Sequence, residues 1–326
     1  MNDAPKFDIH PDMAALLNAK RAVNTEAGTS PLRAQWDSYD AALRRPYPPD
    51  MAVRDTTLAC TLAFGPGKGT RHEIPARIYR PGSAPASSPI VVYIHGGGFI
   101  KGSIESGDPV ASGIAERTGC VVISIDYRLA PEHAFPWGVE DCYAAISHIG
   151  ANAALFGGDP ARVALWGDSA GGNMAAACCL MARDRKGPGI AAHVIVYPCL
   201  NDDLGAPSYE KYRHAPVTTA SMDRSWDLYL GARRPIADPY AVPVKAKDLS
   251  NLPPAFVHVA EVDCLADDGI VYGERLGAAG NAGTLRIARR MIHGFLRARH
   301  SGPDVAAEFE APCAFLKAIF FGAGGR

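Results

Sequence analysis

The stretch Trp166-Gly167-Asp168-Ser169-Ala170-Gly171-Gly172-Asn173 decides how the chain is read. Before it runs Arg162-Val163-Ala164-Leu165, a short apolar run of the kind that fills a buried parallel strand. After it comes Met174-Ala175-Ala176-Ala177-Cys178-Cys179-Leu180-Met181, rich in alanine and with good helix propensity. Strand, G-x-S-x-G turn and helix, in that order, are the context of a nucleophile elbow. In so tight a turn the residues two before and two after the serine must be small, and Gly167 and Gly171 meet that demand. The first N–H groups of the following helix, with its positive dipole end, then point toward Ser169, where an oxyanion would form. An ordinary glycine-rich turn would show the same pattern, so the surrounding chain has to decide.

Working outward, His95-Gly96-Gly97-Gly98-Phe99 stands directly after the apolar run Ile90 to Ile94. Consecutive glycines let backbone approach a ligand closely with N–H groups free to donate. This matches the HGGG loop that supplies oxyanion donors in lipases and esterases. A phosphate loop would need G-x-x-x-x-G-K-[ST], or a G-x-G-x-x-G opening a helix, and neither is present. The other members of a triad would follow Ser169, acid before histidine. Of the five later histidines, the pattern places His193 and His258 inside strands and His214 in an insertion. His293 follows the last strand run and precedes Gly294, which makes it the first candidate, with His300 as the fallback. For the acid, Asp263 lies in the turn after the run 255–260, with Glu261 second. Asp267 and Asp268 read as an N-cap and a first-turn acid of the next helix.

The rest of the chain supplies the frame. Strand runs are expected near 56–63, 74–80, 90–94, 120–125, 162–166, 192–197, 255–260 and 285–289. Helices are expected between them near 106–118, 138–150, 169–183 and 268–279, and a last one near 304–321. Such alternation predicts an α/β fold: a mostly parallel eight-stranded sheet with helices on both faces. Two helices precede any strand. One spans Pro11 to Leu17; the other has Ser30 as N-cap, Pro31 at its first position and Leu32, Trp36, Tyr39 and Leu43 on one face. The interval from 199 to 254 lacks strand signals but holds a helix capped by Thr219 or Ser221, with Met222, Trp226 and Tyr229 on one face. Together these helices form a cap over the carboxyl ends of the strands. The organisation is therefore 1–50 N-terminal cap helices, 51–200 first part of the core, 201–250 cap insertion and 251–326 second part of the core.

Composition narrows the class. The 326 residues are 48% hydrophobic and 21% charged, with a net charge of −1, which draws the chain neither to nucleic acid nor to an anionic membrane. Eight scattered cysteines without metal spacing read as reduced thiols of a cytoplasmic protein. Met1 to Lys6 lacks the basic start and apolar run of a signal peptide, and no stretch is long enough to span a membrane. His72-Glu73-Ile74-Pro75-Ala76 lacks the second histidine of H-E-x-x-H and carries a proline, and acyl transfer through a serine needs no metal or organic cofactor, so none is expected. Leu285 to Arg289 alternates apolar with basic residues and suits an exposed sheet edge, a possible homodimer contact.

With these motifs in order, the chain resembles the bacterial hormone-sensitive-lipase-like family of α/β-hydrolases from about residue 70 onward. The resemblance rests on His95 to Phe99, Tyr127-Arg128-Leu129-Ala130-Pro131-Glu132-His133, Gly167 to Gly172, Asp238-Pro239-Tyr240, Leu252-Pro253-Pro254, Asp263-Cys264-Leu265 and His293-Gly294-Phe295. It implies a triad of Ser169, Asp263 and His293, and an oxyanion hole from the N–H groups of Gly97, Gly98 and Ala170. It implies a serine carboxylesterase. The charged cap segments, with Lys20, Arg21, Arg44 and Arg45 in one and Glu210, Lys211, Asp223 and Asp227 in the other, predict a closed pocket that takes short-acyl esters. Amide or lactone hydrolysis on the same triad is the alternative. So is a non-catalytic small-ligand receptor, as in the plant gibberellin receptors, which resemble the same family but have lost the triad histidine. The family has D-P-L where this chain has Asp263-Cys264-Leu265. The segment Tyr127 to His133 is expected to hold the elbow and nearby loops by hydrogen bonds from an Arg and a Glu flanking a proline turn, with Asp168 as an anchor of that network. Trp36, Tyr209, Tyr212 and Trp226 are candidates to bound the acyl site.

Overall fold

Alternate residues of a strand face opposite ways, and in this sheet that divides the apolar core in two. In β3 (Ser88–Ile94), Ile90, Val92 and Ile94 join one cluster, while Val91 and Tyr93 join another across the sheet. Helices α4 (Trp137–Ala151), α5 (Ala170–Asp184) and α8 (Ala266–Ala278) cover the first face with Val139, Met174 and Leu276 among others. Helices α3 (Ile104–Thr118) and α9 (Pro303–Phe321) cover the second with Val110, Ile114, Phe309 and Leu316. The computed structural model describes residues 7–21, 23 and 28–322; Met1 to Lys6, read above for a leader, lies outside the described residues.

The remaining strands are β1 (Ala52–Thr61), β2 (Arg71–Arg80), β4 (Val121–Ile125), β5 (Gly158–Asp168), β6 (Ala192–Val196), β7 (Ala255–Val262) and β8 (Gly283–Ile292). They lie in the order β1-β2-β4-β3-β5-β6-β7-β8. β2 runs antiparallel to both its neighbours, and every other pairing is parallel. The order reverses at β3 and β5, which opens a crevice beyond their carboxyl ends. The glycine loop leaves β3 there and the serine turn leaves β5 there.

Over that crevice lie α1 (Ala14–Lys20), α2 (Thr29–Ala41) and, from the insertion, α7 (Thr219–Leu230), while the insertion's short helix α6 (Pro207–Lys211) packs at the start of α8, Ser208 N–H donating to Asp267 Oδ2 at 2.8 Å. Their boundaries shift slightly from the sequence expectation. Thr218, and neither Thr219 nor Ser221, caps α7, its hydroxyl accepting from the Ser221 N–H. Ser30 lies inside α2, which begins at Thr29. Leu265 holds the cap position of α8, so Asp267 and Asp268 are both first-turn residues. Stacking pins α7 to the core: the Tyr229 ring lies 3.9 Å from that of Phe99 and nearly parallel to it, with Trp226 packed beside them. Among the described residues no helix is long and apolar enough to cross a membrane.

Candidate active site

Ser169 sits between the end of β5 and the first residue of α5, at φ 58° and ψ −120°. Backbone bonds hold it there: its N–H donates to the Val196 carbonyl at 2.9 Å, and its carbonyl accepts from Asn173 N–H at 3.2 Å. The small flanking residues are a steric necessity. A β-carbon on Gly167 would lie 2.0 Å from the Gly171 carbonyl oxygen, and one on Gly171 2.0 Å from that of Ile94. Ala170 therefore begins α5 with its N–H beside the serine, as the dipole argument requires.

The loop after β3 faces this turn. Gly97 has φ 140°, a conformation that favours glycine, and a β-carbon there would collide with the Lys101 carbonyl. Among the described residues no acceptor takes the N–H of Gly97, Gly98 or Ala170. The loop is fastened from behind. Tyr127 donates its hydroxyl hydrogen to the His95 carbonyl at 2.9 Å, and the two rings stack at 4.4 Å. Gly96 N–H donates to Asp168 Oδ1 at 3.1 Å.

β7 and β8 deliver the acid and the histidine. His293 follows Ile292, the last residue of β8, and its Nε2 lies 2.9 Å from Ser169 Oγ. Its Nδ1 lies 2.6 Å from Asp263 Oδ2. A carboxylate accepts, so the proton belongs on Nδ1 and Nε2 is left to accept from the serine hydroxyl. All three side chains are buried, Asp263 almost completely. Asp263 Oδ1 accepts the Leu265 N–H at 3.1 Å, which closes the turn even with Cys264 in place of the family's proline. The second choices are elsewhere: His300 is exposed, and Glu261 turns outward to accept from Arg289 Nη1 and Arg290 N–H, each at 2.7 Å.

Besides fastening the glycine loop through Gly96, Asp168 gathers two further partners. Its Oδ1 accepts from Tyr93 at 2.6 Å and its Oδ2 from Arg297 Nη1 at 2.8 Å. Burial pushes this carboxyl up, but the Arg297 charge and the Tyr93 and Arg297 hydrogen bonds outweigh it and hold the group below its ordinary value. The segment Tyr127 to His133 holds the glycine loop through the Tyr127 hydroxyl on the His95 carbonyl and Ala130 N–H on the Phe99 carbonyl at 3.0 Å. It is itself tied by Arg128 to Asp141 and by Glu132 to Arg33 of α2.

A family model described as the alpha/beta hydrolase fold matches residues 91–297. The chain is 41% identical over 228 residues to the Carboxylesterase NlhH of Mycobacterium tuberculosis, covering 69% of this chain and 72% of that one. It belongs to the hormone-sensitive-lipase-like α/β-hydrolases. Esterase LipI of the same organism is 37% identical over 257 residues, 78% of each chain. A solved structure titled Bacterial Heroin Esterase superposes with a TM-score of 0.87 at 32% identity, covering 96% of this chain and 98% of that one.

In this hydrolase a cavity of about 240 Å³ opens onto Ser169 and His293. Leu32, Trp36 and Tyr39 of α2 form one wall; Val217 and Met222 at α7 form another. Of the aromatic candidates only Trp36 lines it. Tyr209 donates to Asp268 at 3.1 Å, Tyr212 packs on Phe7, and Trp226 is buried against Phe99. Tyr39 shares the inward face of α2 already visible in the sequence. Arg297 and Lys101 were not found by sequence reasoning. Their only signal is proximity, Arg297 one helical turn beyond His293 and Lys101 just past the glycine loop.

Proposed function

We propose that the protein is a serine carboxylesterase that hydrolyses short-acyl esters through a covalent acyl-enzyme. The observation that carries this reading is the continuous hydrogen-bonded line from Ser169 through His293 to Asp263. His293 takes the Ser169 proton as Oγ adds to the ester carbonyl carbon, then gives it to the departing alcohol. Asp263 holds the imidazole in the required tautomer and stabilises its cation. The N–H groups of Gly97, Gly98 and Ala170 receive the oxyanion; loss of one such donor typically costs roughly 2.7–4 kcal/mol of barrier. Water repeats the sequence on the acyl-enzyme. Esters are also what the relatives' names describe: carboxylesterase and esterase.

The cavity supports the short-acyl preference. Leu32, Trp36 and Met222 give this cavity of about 240 Å³ apolar walls, so each methylene that fits adds up to about 0.8 kcal/mol and each that exceeds the space clashes. Eight buried thiols without a disulfide suit the reducing environment of the cytoplasm. The test is a screen of p-nitrophenyl acyl esters. kcat/KM should rise from acetyl to butyryl or hexanoyl and then fall. Ser169→Ala, His293→Ala and Asp263→Asn should each lose several orders of magnitude in kcat. A rate that climbs to palmitoyl, or a jump at the substrate's solubility limit, would instead describe a lipase.

A further inference from the structure

The mechanism above leaves one residue of the glycine loop without a role. The Lys101 ammonium donates to the Gly97 carbonyl at 3.3 Å. The same oxygen accepts from the backbone N–H of Ile100 at 3.4 Å and of Lys101 at 3.2 Å. Three donors, one carrying a full charge, converge on a single carbonyl. That carbonyl belongs to the peptide whose other end is the Gly98 N–H, one of the proposed oxyanion donors. Donation to a peptide oxygen withdraws density from its nitrogen, so hydrogen bonds in series strengthen one another, and a charged donor does this most.

The cap helix α2 sets where this cation sits. The Lys101 ammonium lies 4.6 Å from the centre of the Trp36 ring. Arg33 Nε donates to the Ile100 carbonyl at 2.8 Å, and Asp37 Oδ1 accepts the Ser103 hydroxyl hydrogen at 2.9 Å. Residues 33, 36 and 37 share one helix face by their three- and four-residue spacing. That face therefore grips Ile100, Lys101 and Ser103 together. Trp36 and Lys101 both line the cavity that holds Ser169.

We propose that Lys101 is a positioning residue for the ester-cleaving step. Seated on Trp36, its ammonium polarises the Gly97–Gly98 peptide so that the Gly98 N–H binds the oxyanion more strongly, and α2 thereby links the cap to the rate of catalysis. This rests on Ser169 being the nucleophile. As the Ser169 Oγ–carbon bond forms, the carbonyl π pair moves onto oxygen. When the oxyanion collapses, the carbon–oxygen bond to the alcohol breaks and His293 supplies the proton. Lys101 exchanges no proton in either step.

The test compares Lys101→Met and Lys101→Arg with the unaltered enzyme. It reads kcat and KM on p-nitrophenyl butyrate, and Ki for two inhibitors. A trifluoromethyl ketone adds to the serine and forms an oxyanion; the corresponding secondary alcohol cannot. For Lys101→Met, kcat should fall about tenfold with KM within about twofold, less than the loss from deleting a donor outright. The ketone's Ki should rise by the same factor and the alcohol's should stay unchanged. Lys101→Arg should recover most of kcat. Unaltered kcat in Lys101→Met would overturn the proposal. So would ketone and alcohol weakening together, or failure of Lys101→Arg to recover activity, because each makes Lys101 a substrate contact or a prop. Wild-type turnover by Ser169→Ala would sink the serine-esterase reading itself, whatever Lys101 does.

Discussion

Asp268 shows how a buried carboxyl can serve structure close to Asp263, the proposed triad acid. Its Oδ2 accepts the N–H groups of Leu200 and Asn201 at 2.9 and 3.0 Å and the Tyr209 hydroxyl at 3.1 Å, which ties the chain after β6 to α8. Burial nevertheless pushes it up to about 8, against those hydrogen bonds and with the Asp263 charge adding to the rise. The unfolded chain gives up this proton near the ordinary carboxylate value while the folded chain keeps it. The folded state thus binds more protons, and its stability from this group is full below about pH 4 and declines until about pH 8. Asp268→Asn carries no ionisable group there. Its stability relative to the unaltered protein should therefore improve from pH 5 to about pH 8 and level off above it, read by urea unfolding at each pH. A difference that stays flat with pH would refute the assignment.

At the scale of elements, the site depends on how α2 lies against the glycine loop. Trp36 forms part of the cavity wall, so Trp36→Ala should deepen the cavity and move the acyl optimum toward longer chains. The ratio of kcat/KM for octanoyl over butyryl esters should rise about tenfold, on the order of 0.8 kcal/mol for each methylene newly accommodated. Taking the ratio cancels any common loss through Lys101. An unchanged ratio would place the acyl chain against another wall. Much of this architecture was legible from the chain itself. Short β-branched runs such as Val121 to Ile125 read as buried strands by length and composition, and Gly167 and Gly171 meet the steric demand of the turn between β5 and α5. Helix periodicity marked the inward faces of the cap but could not say what each face meets. Trp226 meets Phe99 and Tyr209 meets Asp268, so neither reaches the cavity. Lys101 and Arg297 act through contacts distant in sequence, Trp36 and Asp168, which no local pattern encodes. Thr218 caps α7 because its own extended backbone frees the hydroxyl to reach Ser221, a one-residue distinction that neighbouring threonines hide.

For the whole molecule, the sheet ends at β8, whose outer side has no partner strand among the described residues. Its charges are already answered locally, Arg286 by Glu308 and Arg289 by Glu261, so they need not repel a second copy. We propose a homodimer in which two β8 edges meet about a two-fold axis. Light scattering at micromolar protein should then give twice the chain's 34.5 kDa, and the single-chain mass would reject it. The central claim, however, concerns one hydroxyl. It is tested most directly by treating the protein with diethyl p-nitrophenyl phosphate and locating the adduct by peptide mass spectrometry. Ser169 should carry one diethylphosphoryl group per chain, in step with loss of esterase activity. The adduct should be absent from Ser169→Ala and form orders of magnitude more slowly in His293→Ala. Inactivation with the label on any other residue, or full labelling of Ser169 without loss of activity, would contradict the account.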